Sequence, residues 1–581
     1  MGPAEGSGTH GTGVVRVLQA VDDTFRLNAD FFDYTIIALY FAVVLGIGVL
    51  ARRQVSSSID FFLSGRSLPA WVTGLAFISA NLGAVEIMGM SANGAQFGVA
   101  TFHYFWIGAV PAMLFLGIVM MPFYYGSGVR SVPEFMRRRF GTGAHLVNAL
   151  SFSIAQLLIA GINLYLLATI VNRLLGWPLW VSLIVAAVVV LSYITLGGLS
   201  AAIYNEVLQF FVIVAALTPL TIIALHKVGG WQGIKDKVQP GPEQLSSWPG
   251  TDLTGISDPF WSTVGIVFGL GFVLSFGYWT TNFVEVQRAM ASDSLSSARR
   301  APIIGAFPKM FIPFIVIIPG MAAAIIIPEL ANLKSGQGDT GGATYNDAIL
   351  LLMRDLLPNG MLGVAIAGLL ASFMAGMAAN ISAFNTVFSY DLWQQYVKKD
   401  EPDHYYTLVG RIATVAATVI AIGTAYFASN YDNLMDYLQT LFGFFNAPLF
   451  ATFILGMFWK RMTATAGWTG LVAGTLAAVG VAFLSEDAFG SASLGVIGLS
   501  GQGASFAAAG AAFVVDIVVS VLVTLVTRPR DPKELEGLVY SLTPKESLVD
   551  PDEKSLPWYQ SPTKLAGIGL VIVIVLNLMF R

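Results

Sequence analysis

A carboxylate, Glu86, stands inside an apolar stretch of membrane length, residues 75–90, that reads LAFISANLGAVEIMGM. A charge at bilayer depth costs about 2.5–3.5 kcal/mol even on the most lenient insertion scale, so a helix that only spans would not carry one. The same stretch holds Asn81 and Gly83, a combination at which a helix can unwind. Unwound backbone at membrane depth is tolerated only where it lines a cavity or is buried in protein. The segment is therefore expected to build a site; the alternative is a Glu86 satisfied against a neighbouring helix. A second charge, Lys309, lies nine residues into an apolar run beyond Arg299 and Arg300, roughly 13 Å along a helix. It either snorkels back to the interface or faces polar company. Gln439, in Asp436–Thr440, offers an amide that both donates and accepts, and Tyr278 with Trp279 offers flat apolar faces.

The elements that position these groups are membrane helices. The 581 residues are 55% hydrophobic and 11% charged, with 60 glycines and 40 phenylalanines, a composition suited to helices packed closely in lipid. There is no cysteine, and the five histidines form no HxxxH or HExxH pair, which argues against thiol metal sites and a zinc enzyme. No nucleophile–base constellation points to an enzyme, no organic cofactor motif is present, and no basic run suggests nucleic acid.

Fourteen apolar segments reach crossing length: 33–51, 69–93, 101–125, 146–174, 178–197, 205–226, 258–285, 301–327, 360–390, 406–428, 433–458, 464–484, 505–527 and 563–580. One set of alternate loops carries Arg52, Arg53, Arg66, Arg130, Arg137–Arg139, Arg288, Arg299, Arg300, Lys398, Lys399, Lys460, Arg461, Arg528 and Arg530. The other carries mainly Arg173, Lys227, Lys235, Lys237 and Lys334. The positive-inside rule puts the first set in the cytoplasm, which leaves both termini of a plasma-membrane protein outside. The polar residues 1–31 read as an extracellular tail, and the charged, Pro-bearing residues 528–562 as a cytoplasmic tether before a last helix over 563–581.

Three motifs, taken in order, resemble the sodium:solute symporter family and its sodium/sugar cotransporters: Asp60–Pro69 (DFFLSGRSLP), Tyr193–Gln209 (YITLGGLSAAIYNEVLQ) and Leu455–Arg461 (LGMFWKR). The resemblance covers about residues 30–530. It implies an all-α, LeuT-type core of two inverted five-helix repeats, 69–226 and 258–458. One extra helix over 32–52 precedes the core, and three follow, two of them within 464–527. The first helix of each repeat is broken near the midplane in such folds, which makes Gly269–Asn282, with its three glycines, Ser275 and Tyr278, the counterpart of residues 75–90 and a second expected unwound stretch. The implied activity is sodium-coupled symport of a small solute, a sugar foremost, by alternating access. Proton-coupled or uncoupled carriage, or a sensor that no longer transports, are the other readings. The resemblance places solute contacts at Asn81, Glu86, Phe105, Ser275, Tyr278, Trp279, Lys309 and Gln439. It places outer-gate residues at Tyr104 and Met435, and an inner gate at Tyr278. Glu206 stands at a carboxylate position linked to cation coupling; from the residues alone it could equally be a helix N-terminal carboxylate.

Two departures from the family pattern stand out. The family's sugar-binding glutamate falls on Phe105, while Glu86 occupies a position on the preceding helix that is often Gln or His: either one carboxylate has moved, or the solute is not the usual hexose, and His103, close by in sequence, is a further source of polarity. The Na⁺ ligands implied by the family are the carbonyls of Ser79, Leu82 and Ser372 and two serine hydroxyls that fall on Ala375 and Gly376, in a register anchored by Asp391. A weakened or altered sodium site is expected, one that serines at 375 and 376 would restore.

Overall fold

The computed structural model describes residues 26–52, 58–83, 85–248, 251–429, 434–486, 493–550, 553 and 555–581. Most of the expected extracellular tail, 1–25, lies outside them. The described residues are helical throughout, with two isolated bridges, Leu68–Ser292 and Ser485–Ile497, and no extended strand. Hydrocarbon offers no partner to a backbone amide, so each segment satisfies its own.

In chain order the helices are α1 (Phe31–Arg52), α2 (Ala70–Asn81), α3 (Val85–Phe102), α4 (Tyr104–Gly126), α5 (Val132–Phe140), α6 (Thr142–Leu175), α7 (Leu179–Val228) and α8 (Pro259–Thr281). They continue with α9 (Phe283–Met290), α10 (Leu295–Ile326), α11 (Met361–Val397), α12 (Asp403–Ala428), α13 (Leu434–Phe458), α14 (Ala464–Leu484), α15 (Gly501–Val526) and α16 (Pro562–Met579). Among the described residues twelve helices are long and apolar enough to cross a bilayer, and α2 with α3, bent by 59°, pass the same test when taken together as one span. The fourteenth expected crossing, 178–197, differs. It runs on without a break into the rest of the 50-residue α7. Glu206 therefore sits within a helix, and its reading as an N-terminal carboxylate falls.

The helices α2, α3, α7, α10 and α11 pack on one another, while α14 and α15 form a hairpin against α13. Proline shapes two of them. Pro319 in α10 cannot bond the carbonyl of Ile315, and Thr221 Oγ1 of α7 approaches that oxygen at 3.4 Å. Pro448 in α13 frees the carbonyl of Phe444, which Thr475 Oγ1 of α14 reaches at 3.1 Å. Residues 528–562 do more than tether. The Asp550 carboxylate accepts from the Ser296 amide at the start of α10 (2.9 Å) and Glu553 pairs with Arg299. The Tyr540 ring lies 5.7 Å from both Phe123 and Phe458. On the opposite side, beyond the spans, Lys334 Nζ donates to the carbonyl of Ala95 and to Gln244 Oε1, each at 2.5 Å. Burial draws that ammonium down to about 8, against the opposing pull of Asp252.

Candidate functional site

The cavity forms where α2 stops. Leu82 still donates to the Ile78 carbonyl, but its own ψ of 43° turns the chain out of the helix. The next helix starts at Val85, so the break falls at Asn81–Gly83 as the sequence predicts. Gly83 lets the chain pass close to α6 and α11 there: a Cβ would stand 3.1 Å from Asn163 Oδ1 and 3.2 Å from Gly376 Cα, tighter than ordinary contact. The freed carbonyl of Leu82 accepts from Ser372 Oγ on α11 at 2.7 Å.

Lys309 reaches across from α10 to this break. Its Nζ lies 2.5 Å from Glu86 Oε1 and donates to Asn81 Oδ1. The residue is 1% exposed, so it does not snorkel. The rings of Phe105 and Trp279 flank the ammonium at 4.7 and 5.2 Å, where the aromatic quadrupole favours a cation. The expected solute contact at Phe105 changes character here: the ring is 1% exposed and supports Lys309, and it is not among the cavity-lining residues. The carboxylate that contacts Lys309 is Glu86, at the start of α3.

Asn81, Glu86, Ser275, Tyr278, Trp279, Lys309 and Gln439 line one cavity, with Tyr104 and Met435 also in its wall. Trp279 stacks on Phe77 with ring centroids 5.6 Å apart. Gln439 Nε2 has the Met435 sulfur at 3.4 Å, a weak acceptor that leaves the amide available. The Tyr104 hydroxyl donates to Gln502 Oε1 on α15, and Gln502 in turn donates to Asp436. The Tyr278 hydroxyl accepts from Asn81 Nδ2 (3.1 Å) and donates to Glu285 Oε1 (2.6 Å). Its ring lies 4.6 Å from that of Phe442. His103 is elsewhere. It bonds the Ser247 carbonyl through Nε2 at 2.7 Å and lies against Trp248, its centroid 4.0 Å away, so it lends the cavity no polarity.

The second expected unwound stretch, 269–282, is helical as far as Thr281, with wide turns over Gly265–Ser275. Its glycines serve packing: Gly269 abuts Phe506, Gly271 abuts Ile107 and Gly277 abuts Asn446. The break comes at Asn282, whose ψ is 118° and whose side chain caps α9 by accepting from the Val284 amide.

Of the expected sodium ligands, Ser79, Leu82 and Ser372 cluster at the α2 break or face it across α11, all buried. Ala375 and Gly376 supply no side-chain oxygen. Gly376 is also pressed against the break: a Cβ there would stand 3.1 Å from Gly83 Cα and 2.8 Å from Asn163 Oδ1. A side chain at 376 would therefore require the Asn163 amide to give way.

Glu206 pairs with Arg288 through contacts of 2.7 and 3.3 Å, both side chains fully buried. Arg288 also donates to the Val284 carbonyl and to Gln287 Oε1. Asn163, Asn380, Glu285 and Arg288 were not singled out from sequence. A signal existed for each: an isolated amide in an apolar helix for the first two, and for the others two opposite charges three residues apart beside a membrane segment.

A model of the sodium:solute symporter family matches residues 61–474. The sodium/glucose cotransporter of Vibrio parahaemolyticus is 30% identical over 461 residues, covering 76% of this chain and 83% of that protein. Sodium/glucose cotransporter 1 of Oryctolagus cuniculus is 28% identical over 560 residues, covering 90% and 83%. The solved structure of a Na⁺-coupled sialic acid symporter in a substrate-bound outward-open state superposes with a TM-score of 0.68 at 17% identity, across 86% of this chain and 99% of that one. The shared fold is the LeuT type. With the broken α2, the buried Lys309–Glu86 pair and a family match over most of its length, the chain belongs to the sodium:solute symporter family.

Proposed function

We propose that this multi-pass membrane protein uses inward sodium flow to drive uptake of a neutral, polyhydroxylated solute of sugar type, bound between repeats 69–226 and 258–458. Its arginine-rich loops face the cytoplasm of the plasma membrane. The observation that carries the solute class is the Lys309–Glu86 pair at the centre of the cavity. The two charges cancel. An anionic solute would have to draw Lys309 from Glu86, and a cationic one would have to draw Glu86 from Lys309. A neutral polyol can instead bridge both, donating to the carboxylate and accepting from the ammonium. Gln439 supplies further donor and acceptor capacity, while Tyr278 and Trp279 give the apolar wall that a pyranose face requires. The names of the related sodium/glucose cotransporters agree with this class.

Proteoliposomes with an imposed inward Na⁺ gradient test the reading. Concentrative uptake of labelled neutral hexose is expected, competed by neutral hexoses and not by hexuronates or amino sugars. Uptake that is unchanged in choline and follows a pH gradient would replace sodium by protons as the driving ion. Absence of counterflow exchange for any sugar would favour the sensor.

Tyr278→Phe keeps the aromatic face and deletes the hydroxyl that joins Asn81 to Glu285. Hydrogen bonds to charged groups contribute about 1.5–3 kcal/mol, so the half-saturating solute concentration is expected to rise about tenfold or more at saturating Na⁺. Tyr278→Ala should lose more, because the ring goes too. Equal affinities for wild type and the Phe variant would show that the ring alone matters.

A further inference from the structure

We propose that the cation of this symporter is held at the α2 break by Asn163 Oδ1 and Ser372 Oγ, oxygens that take over from side-chain hydroxyls the chain lacks at Ala375 and Gly376. The proposal rests on sodium coupling and deepens it by assigning the ligands.

Asn163 lies in the middle of α6 and is 4% exposed. Its Nδ2 donates to the Ile159 carbonyl one turn back, at 3.1 Å. That bond fixes the amide orientation and turns Oδ1 toward the break, where it has no hydrogen-bond partner among the described residues. A buried acceptor left in this state is costly unless something electropositive meets it. Oδ1 stands 3.1 Å from where a Cβ on Gly83, the residue after Leu82, would lie, and 2.8 Å from where one on Gly376 would lie. The Leu82 carbonyl, freed by the break, accepts from Ser372 Oγ at 2.7 Å. One turn before Leu82, the buried hydroxyl of Ser79 has no hydrogen-bond partner among the described residues. Oxygens from α2, α6 and α11 thus gather at the break. Hard cations are bound by such sets of oxygen ligands, carbonyl and amide oxygens included.

The geometry also bears on the missing hydroxyl at 376. Ser372 and Gly376 are one turn apart on the same face of α11. The space a side chain at 376 would use is already filled by the Asn163 amide, 2.8 Å from the would-be Cβ. An amide from α6 and a hydroxyl at 376 are therefore alternative ways to put an oxygen in the same place, and this chain has the amide.

The test uses the purified full-length chain in lipid nanodiscs without solute. Thermal stabilisation is followed as NaCl replaces choline chloride at constant ionic strength. Wild type is expected to show saturable stabilisation by Na⁺. Asn163→Ala and Ser372→Ala should each raise the half-saturating Na⁺ about tenfold, whereas Asn163→Asp, which keeps an oxygen there, should leave it the same or lower. Gly376→Ser should raise it as well. If Asn163→Ala does not fold, Ser372→Ala and Asn163→Asp still decide. Wild-type stabilisation by Na⁺ with both Ala variants unchanged overturns the ligand assignment alone, and would mean that Oδ1 meets only water. Unchanged Na⁺ dependence with weakened solute binding would make Asn163 a solute ligand and equally overturn it. A wild type indifferent to Na⁺, yet exchanging solute in counterflow, would remove sodium coupling itself and the proposal with it.

Discussion

Glu86→Gln is expected to cut solute uptake at low solute concentration by about a hundredfold or more while the protein still reaches the membrane. The Lys309 ammonium is 1% exposed and depends on Glu86 Oε1 at 2.5 Å for its counter-charge. Removing one partner of a buried pair costs about 3–5 kcal/mol, because the other charge is left uncompensated. Part of that cost is spread over Asn81, Phe105 and Trp279, which also contact the ammonium. Glutamine keeps the shape and one acceptor oxygen, so what is lost is the charge. Lys309→Met should impair uptake comparably, by leaving Glu86 without its cation. The informative variant is the double substitution Glu86→Gln with Lys309→Met. It should restore thermal stability toward wild type without restoring uptake, since a matched neutral cavity folds but no longer offers a charged donor and acceptor to hydroxyls. Near-normal uptake in Glu86→Gln, measured with surface amount held equal, would show that the pair is structural and that the solute sits elsewhere.

What the sequence made legible follows from what lipid forbids. Glu86 with Asn81 is expensive in an apolar stretch and marked the α2–α3 junction as site-building, the family resemblance added Lys309 on α10, and the structure joins all three. Glycine carried no such message. In 269–282 glycines suggested an unwound segment, but they serve close contacts with Phe506, Ile107 and Asn446, and small residues are used for packing throughout membrane helices. The actual break at Asn282 was signalled by a side chain able to cap a helix start. Asn163 was missed for a related reason: a lone amide in an apolar helix reads as glue between helices, and only the position of its oxygen against Gly83 and Gly376 distinguishes it. Phe105 was placed by the family resemblance and His103 by closeness in sequence. One turned under Lys309, and the other turned away to Ser247.

Arg288→Ala is expected to be the most destabilising single change outside the cavity. It would leave the Glu206 carboxylate, fully buried inside α7, with no cation in contact. The cost is again about 3–5 kcal/mol, seen as a fall of several degrees in thermal midpoint and a lower yield of monodisperse protein. Glu206→Gln should be milder, because Arg288 keeps the Val284 carbonyl and Gln287 Oε1 as acceptors. The expected defect of Glu206→Gln lies in transport. Glu285 and Arg288 are three residues apart on α9, one holding the Tyr278 hydroxyl at the cavity and the other holding Glu206 on α7. A movement of α9 that opened the cavity toward the arginine-rich side would have to release one of these bonds. Weakening the Glu206 end should therefore make that opening easier and less dependent on bound ligands. Solute exchange should persist in Glu206→Gln while accumulation driven by a Na⁺ gradient falls severalfold. Should exchange and accumulation fall together, or should Arg288→Ala prove as stable as wild type, the pair would be a packing element and not part of the coupling.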